Sequence, residues 1–93
     1  MIMAEWNVYM LRCADQSLYT GVATDVAARV ATHNAGKGAK YTRGRLPVTL
    51  VYQEVVGDRG AALQREHAIK RLPVAAKRRL IDGSVPDNAR GQS

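Results

Sequence analysis

Trp6-Asn7-Val8-Tyr9-Met10-Leu11-Arg12-Cys13-Ala14-Asp15-Gln16-Ser17-Leu18-Tyr19-Thr20-Gly21-Val22-Ala23 is the stretch that decides the fold. Trp6 to Leu11 is aromatic and β-branched, as a strand requires. Ala14-Asp15-Gln16-Ser17 is turn chemistry, and Leu18 to Ala23 reads as the returning strand. A β-hairpin is therefore expected. Gly21 weakens the second strand unless a backbone or a ligand approaches it closely. The parity of the loop decides what the hairpin can do. A two-residue loop centred on Asp15-Gln16 sets Tyr19 opposite Arg12, on the other face from Tyr9. A three-residue loop or one bulge brings both tyrosines to one face.

Working outward, Thr24 or Asp25 caps a helix running to about Asn34. Val26, Val30 and His33 line its inner side, and Arg29 borders it. Arg29 and His33 stand one turn apart and reach the same place. Their ordinary uses are a snorkelling stem for Arg29 and a cation at the helix C-terminus for His33. Ala35 to Leu46 reads as a loop, with three glycines, four basic residues, Tyr41 and Thr42. Such a loop suits binding more than packing. Pro47 opens an extended segment, and Val48 to Val56 reads as a third strand. Its nearly continuous apolar run predicts burial on both faces, in mid-sheet or under helices.

Asp58 is the expected N-cap of a second helix, which contains Ala62-Leu63-Gln64-Arg65-Glu66-His67-Ala68-Ile69-Lys70. At 100° per residue, Ala62, Glu66 and Ile69 share one line. A carboxylate thus stands inside an apolar stripe, where it is costly without a partner. Two partners are open: Lys70 one turn on, or a metal ion at the floor of a cleft. Leu72-Pro73 breaks this helix. Pro73 suits the start of another, carrying Val74, Lys77, Arg78, Leu80 and Ile81, and Gly83 stops it. Residues 1–83 then form one domain of order β-β-α-β-α-α, a small α/β layer with helices packed on a three-stranded sheet. Residues 84–93, polar and containing Pro and Gly, read as a flexible tail.

The 93 residues suffice for one modest core. With no Phe, that core rests on aliphatic side chains and frees the four tyrosines for other duties. The single cysteine, Cys13, excludes an internal disulfide and a Cys-pair metal site. No signal peptide and no span-length apolar run is visible, so a cytoplasmic protein without membrane contact is expected. The net charge of +6 calls for an acidic partner, and nucleic acid is the commonest. Lys37, Lys40, Arg43 and Arg45, with Tyr41 among them, form one basic cluster. Arg65, Lys70, Arg71, Lys77, Arg78 and Arg79 form another. From these, Lys37, Lys40, Tyr41, Arg43, Arg45, Lys70 and Lys77 are the expected nucleic-acid contacts.

Tyr9, Tyr19, Arg29, His33 and Glu66 are polar residues in apolar or strand positions. Together they could hydrolyse a phosphodiester. Glu66 could hold one Mg²⁺ or Mn²⁺, since Mg²⁺ keeps several waters and takes further ligands from the substrate phosphate. The Arg29 fork suits a non-bridging oxygen. Tyr9 or Tyr19 could take the proton of the attacking water, provided a nearby cation lowers a phenol pKa of about 10. His33 could serve as an auxiliary acid or base.

These residues, in this order, resemble the GIY-YIG endonuclease superfamily. Asn7-Val8-Tyr9 stands for the first of its two name-giving tripeptides and Tyr19-Thr20-Gly21 for the second. The family's helix arginine matches Arg29 in Asp25-Val26-Ala27-Ala28-Arg29, and its histidine one turn later matches His33. Its catalytic, metal-binding glutamate matches Glu66. Lys40-Tyr41-Thr42-Arg43-Gly44-Arg45-Leu46-Pro47-Val48, with Lys77 and Leu80-Ile81, is similar to the small stand-alone bacterial members of unassigned role. The likeness spans roughly Trp6 to Gly83. The first tripeptide lacks the leading Gly and Ile, and the second has Thr20 for Ile. The resemblance implies the GIY-YIG fold, an α/β (α+β) domain with an antiparallel-type sheet flanked by helices. It implies a divalent-metal-dependent DNA endonuclease, with repair, recombination and nucleic-acid turnover as its settings, and it favours the metal for Glu66. The alternative is a basic DNA- or RNA-binding module that keeps the fold without catalysis.

Overall fold

In the computed structural model, which describes residues 4–83, one strand carries the sheet. β1 (Trp6–Arg12) lies between β2 (Leu18–Ala23) and β3 (Thr49–Gly57), and both pairings are antiparallel. Val8, Tyr9, Met10 and Leu11 are all at most 1% exposed. Strand alternation sends Tyr9 and Leu11 to one face and Val8 and Met10 to the other. Each face builds its own core. Tyr9, Leu11 and Cys13 meet Val26 and Val48 on one side. Val8 and Met10 meet Ala62, Ile69 and Ile81 on the other. Complete burial of such side chains stabilises by roughly 1.5–3 kcal/mol apiece.

The hairpin adopts the parity that brings the tyrosines together. Cys13 and Ser17 close the loop, with Cys13 N–H donating to Ser17 O at 2.9 Å. Ala14, Asp15 and Gln16 make the turn, and Gln16 takes the left-handed conformation at φ 72°, the usual third position of such loops. Asp15 Oδ1 holds the turn by accepting from Ser17 N at 3.0 Å and Ser17 Oγ at 2.6 Å. Tyr19 consequently pairs with Leu11, and Gly21 with Tyr9.

Asp25 caps α1 (Val26–Asn34), its carboxylate accepting from Ala28 N at 3.0 Å. The following segment is not the continuous loop expected from its charge and glycines. It contains a short helix, α2 (Lys40–Arg43), so the order is β-β-α-α-β-α-α. The Asn34 side chain ties this excursion down. It accepts from Val48 N at 2.7 Å and donates to Val48 O at 3.0 Å.

The expected burial of the third strand is also corrected. β3 is an edge strand, and Val55 is 60% exposed. Its apolar run reflects one partly covered face, where Val51, Tyr52 and Val56 pack on the second core. On the opposite side α1 packs by β2 rather than over β3. Asp58 caps α3 (Arg59–Lys70) by accepting from Ala61 N at 2.8 Å. Pro73 immediately precedes α4 (Val74–Gly83). The predicted tail, residues 84–93, lies outside the described residues. Among these, no helix is long and apolar enough to cross a membrane.

Candidate active site

Tyr9 is the buried centre of the site. Its phenol passes over its cross-strand partner Gly21, where an added Cβ would stand 2.6 Å from Tyr9 Oη and 2.8 Å from Cζ. The glycine in the strand therefore serves a close approach, as its type suggested, and the approaching group is a side chain of the neighbouring strand. Tyr19 lies beside it, the two ring centroids 6.4 Å apart.

α1 delivers His33 from above. The imidazole is fully buried, 5.2 Å from the Tyr19 ring and 6.1 Å from the Tyr9 ring. His33 Nε2 lies 2.9 Å from Tyr9 Oη. Its Nδ1 lies 3.0 Å from Thr42 Oγ1 on α2 and 3.4 Å from Ala39 N. Burial first, and the Arg29 guanidinium second, hold its pKa below the ordinary value. His33 is thus a neutral core histidine rather than a cation serving the helix dipole. Burial, with help from Tyr19 and Glu66, pushes the Tyr9 phenol up to about 12, against the pull of Arg29. Arg29 and Glu66 therefore both lie within electrostatic reach of the Tyr9 oxygen, from α1 and α3 respectively.

Glu66 keeps its place in the apolar stripe between fully buried Ala62 and Ile69, with its side chain only 18% exposed. Lys70 Nζ reaches it at 3.2 Å and stands 5.9 Å from the centroid of the Tyr19 ring. The donor set here is one carboxylate. Among the described residues no three His, Cys, Asp or Glu side chains gather into a metal cage. That set fits an ion such as Mg²⁺, which keeps most of its waters and shares substrate oxygens. It does not fit zinc, which wants several nitrogen or sulfur ligands.

The expected basic contacts divide into three groups. Arg45 is committed within the fold. Its Nε donates to Asp15 Oδ2 at 3.0 Å, its Nη1 donates to Tyr41 O at 2.7 Å, and its guanidinium lies 4.1 Å from the Tyr41 ring centroid. Tyr41 in turn stacks on Tyr19 at 6.0 Å. Lys37, Lys40 and Arg43 are exposed. Lys70 and Lys77 line a cleft of about 280 Å³ with Tyr19, Thr20 and Tyr41. It adjoins a larger cleft of about 570 Å³ between the hairpin end and α4, lined by Arg12, Lys77 and Arg78 among others, with no acidic residue in its wall. Lys37, Lys40 and Arg43 line neither cleft.

Two residues of the site had no assigned role in the sequence, Thr42 and Gly38. Thr42 is fully buried, although it lies in a segment whose charge pointed to a solvated loop. Gly38 lies flat against His33, where an added Cβ would meet Nδ1 at 2.3 Å and the His33 Cα at 2.9 Å. The only signal for either was the presence of small residues between Lys37 and Arg43.

Residues 5–79 match the family model described as the GIY-YIG catalytic domain. A UPF0213 protein of Natronomonas pharaonis is 58% identical over 78 residues, covering 84% of this chain and 92% of that protein. A UPF0213 protein of Staphylococcus haemolyticus is 52% identical over 80 residues, covering 86% and 98%. The solution NMR structure of a UPF0213 protein from Bacillus halodurans is 41% identical with a TM-score of 0.56, covering 86% of this chain and 85% of that one. A solution NMR structure of an E. faecalis protein is 33% identical with a TM-score of 0.57, covering 88% and 86%.

Proposed function

The chain belongs to the GIY-YIG family, and on that footing we propose that it is a divalent-metal-dependent DNA endonuclease. The observation that carries this reading is the meeting of four elements at one place. Tyr9 from β1, Tyr19 from β2 and His33 from α1 are in contact, and Arg29 from α1 and Glu66 from α3 lie within electrostatic reach of the Tyr9 oxygen. In this reading Glu66 would hold Mg²⁺ or Mn²⁺, and the bound ion supplies positive charge to the phosphate. Arg29 pairs with a non-bridging oxygen and stabilises the charge that develops there. One tyrosine, having first given its own phenol proton to solvent, with Arg29 favouring the anion against the burial that raises Tyr9, accepts the proton of a water attacking phosphorus in line, and the leaving oxygen departs on the opposite side. The two adjoining basic clefts offer the strand a path away from the site, with phosphate contacts from Arg12, Lys77 and Arg78. Repair, recombination and nucleic-acid turnover are the settings such an activity would serve.

A second reading has one observation in its favour, the ion pair that Lys70 already makes with Glu66. In that reading the pair is permanent and the domain binds DNA or RNA without cutting it. The test is a cleavage panel of single-stranded, duplex, flapped and four-way DNA and RNA, with Mg²⁺, Mn²⁺ or EDTA, beside Glu66→Ala. The expected result is metal-dependent cutting that falls by about 100-fold or more in Glu66→Ala, with binding and folding retained. Binding to every substrate with cutting of none would establish the second reading.

A further inference from the structure

His33 presents two nitrogens to two different parts of the fold, and a neutral imidazole carries one proton. Where that proton sits decides what His33 offers Tyr9. A proton on Nδ1 leaves an Nε2 lone pair facing the phenol, so Tyr9 donates inward to the histidine. A proton on Nε2 makes His33 the donor and the Tyr9 oxygen the acceptor.

The groups around Nδ1 differ in how far they can adapt. The Thr42 hydroxyl rotates. Its oxygen lies 2.8 Å from Ala39 O and 3.0 Å from His33 Nδ1, so it can give its proton to either or accept one from the ring. Ala39 N–H cannot adapt. It is a backbone donor whose direction is set by the chain, and it points at Nδ1 across 3.4 Å. A proton on Nδ1 would face another proton there. Gly38 is what brings this amide so close, because any side chain would strike the ring or its backbone. Ala39 itself sits at φ −64° and ψ 145°, the ordinary extended conformation of a residue entering a helix.

We infer that the turn from Gly38 to Thr42 fixes His33 in its Nε2–H form, and so makes it a hydrogen-bond donor to Tyr9 Oη. Gly38 and the Ala39 amide are then positioning elements that act through His33. The Tyr9 oxygen receives the His33 N–H from one side, leaving its own proton for an acceptor in the cleft. Negative charge arising on that oxygen would be met by a donor already in place. His33 in this arrangement supports Tyr9 and does not act as a base toward it. Its catalytic meaning rests on the nuclease reading, whereas the tautomer is a property of the folded chain alone.

The test is long-range proton–nitrogen correlation NMR on the full chain, labelled with ¹⁵N in histidine, above the pH at which His33 takes up a second proton. The expected spectrum of His33 has a pyridine-like Nδ1 and a pyrrole-like Nε2. The reverse assignment overturns the inference. Chemical synthesis of the chain with an ester oxygen in place of the Ala39 N–H removes the fixed donor without adding bulk. In that chain the proton is expected to move to Nδ1, and its retention on Nε2 overturns the role given to the amide. Thr42→Val removes only the adaptable hydroxyl and is expected to keep the Nε2–H signature. Reversal there would assign control to Thr42 and overturn the role of the amide. None of these readouts needs cleavage. A nuclease with the reverse tautomer refutes this inference alone, and an inactive protein with the Nε2–H form refutes the nuclease reading alone.

Discussion

Gly21→Ala tests the geometry of the site without touching a charged group. The new methyl would stand 2.6 Å from Tyr9 Oη, 2.8 Å from Cζ and 3.1 Å from Tyr19 Cε2. Ordinary contact begins at 3.4 Å, so the phenol must retreat by about 0.8 Å. The ring is stiff and Tyr9 is 1% exposed, so little free space receives it. Overpacking of this kind costs about 1–3 kcal/mol. For a domain of this size that corresponds to a fall in melting temperature of about 4–24 °C. The same displacement moves Tyr9 Oη relative to His33 Nε2, now at 2.9 Å, and so disturbs their hydrogen bond. Gly44→Ala is the control, because Gly44 has φ −93° and no atom within 4 Å of its added Cβ. It is expected to leave stability unchanged or raise it by up to about 1 kcal/mol. Thermal melts of both variants, followed by cleavage assays at a temperature where both are folded, decide the matter. Equal melting temperatures for the two variants, or full activity in Gly21→Ala, would refute the close packing of Tyr9 on Gly21 as the basis of the site.

Alkaline pH should expose the buried phenol. The Tyr9 pKa is raised from 10.0 to about 12, so folding favours the protonated form. Its contribution to stability is whole below pH 10 and declines between about pH 10 and 12. Melting temperatures across that window should fall more steeply in the wild type than in Tyr9→Phe, and parallel curves would contradict the raised value. Salt dependence should separate the basic residues. Lys77→Ala is expected to lower the slope of log binding constant against log salt by about 0.9 for duplex DNA and to leave stability nearly untouched. Arg45→Ala is expected to lower the melting temperature as well, since it releases Asp15 and Tyr41 together. Binding titrations with melts on the same samples check both.

The hairpin was legible because its alternating residues and turn chemistry are local. Its parity was not, because Gln16 holds the left-handed position where Gly or Asn would have announced it. The third strand misled for a different reason. An apolar run records how much a strand can bury, whereas its place in the sheet depends on which strand has two partners, and that strand is β1. α2 was hidden by its length of four residues and by neighbours suited to a loop. Asp25 and Asp58 were readable as caps because capping needs only a carboxylate two or three residues ahead of a free amide. The convergence of Tyr9, Tyr19, Arg29, His33 and Glu66 could be suspected from polar residues in apolar positions. The support under His33 could not, because Gly38, Ala39 and Thr42 act there through shape and a backbone amide.

The central position of β1 also bears on how the molecule comes apart. Each of its faces supplies the middle of one core, and each of its edges is hydrogen-bonded to a neighbour. Neither helical layer can loosen fully without disturbing the same seven residues. The domain should therefore open as one cooperative unit, with the amides of Val8 to Leu11 among the last to exchange with solvent. Tyr9 sits within that most protected segment, so its orientation is as durable as the fold itself.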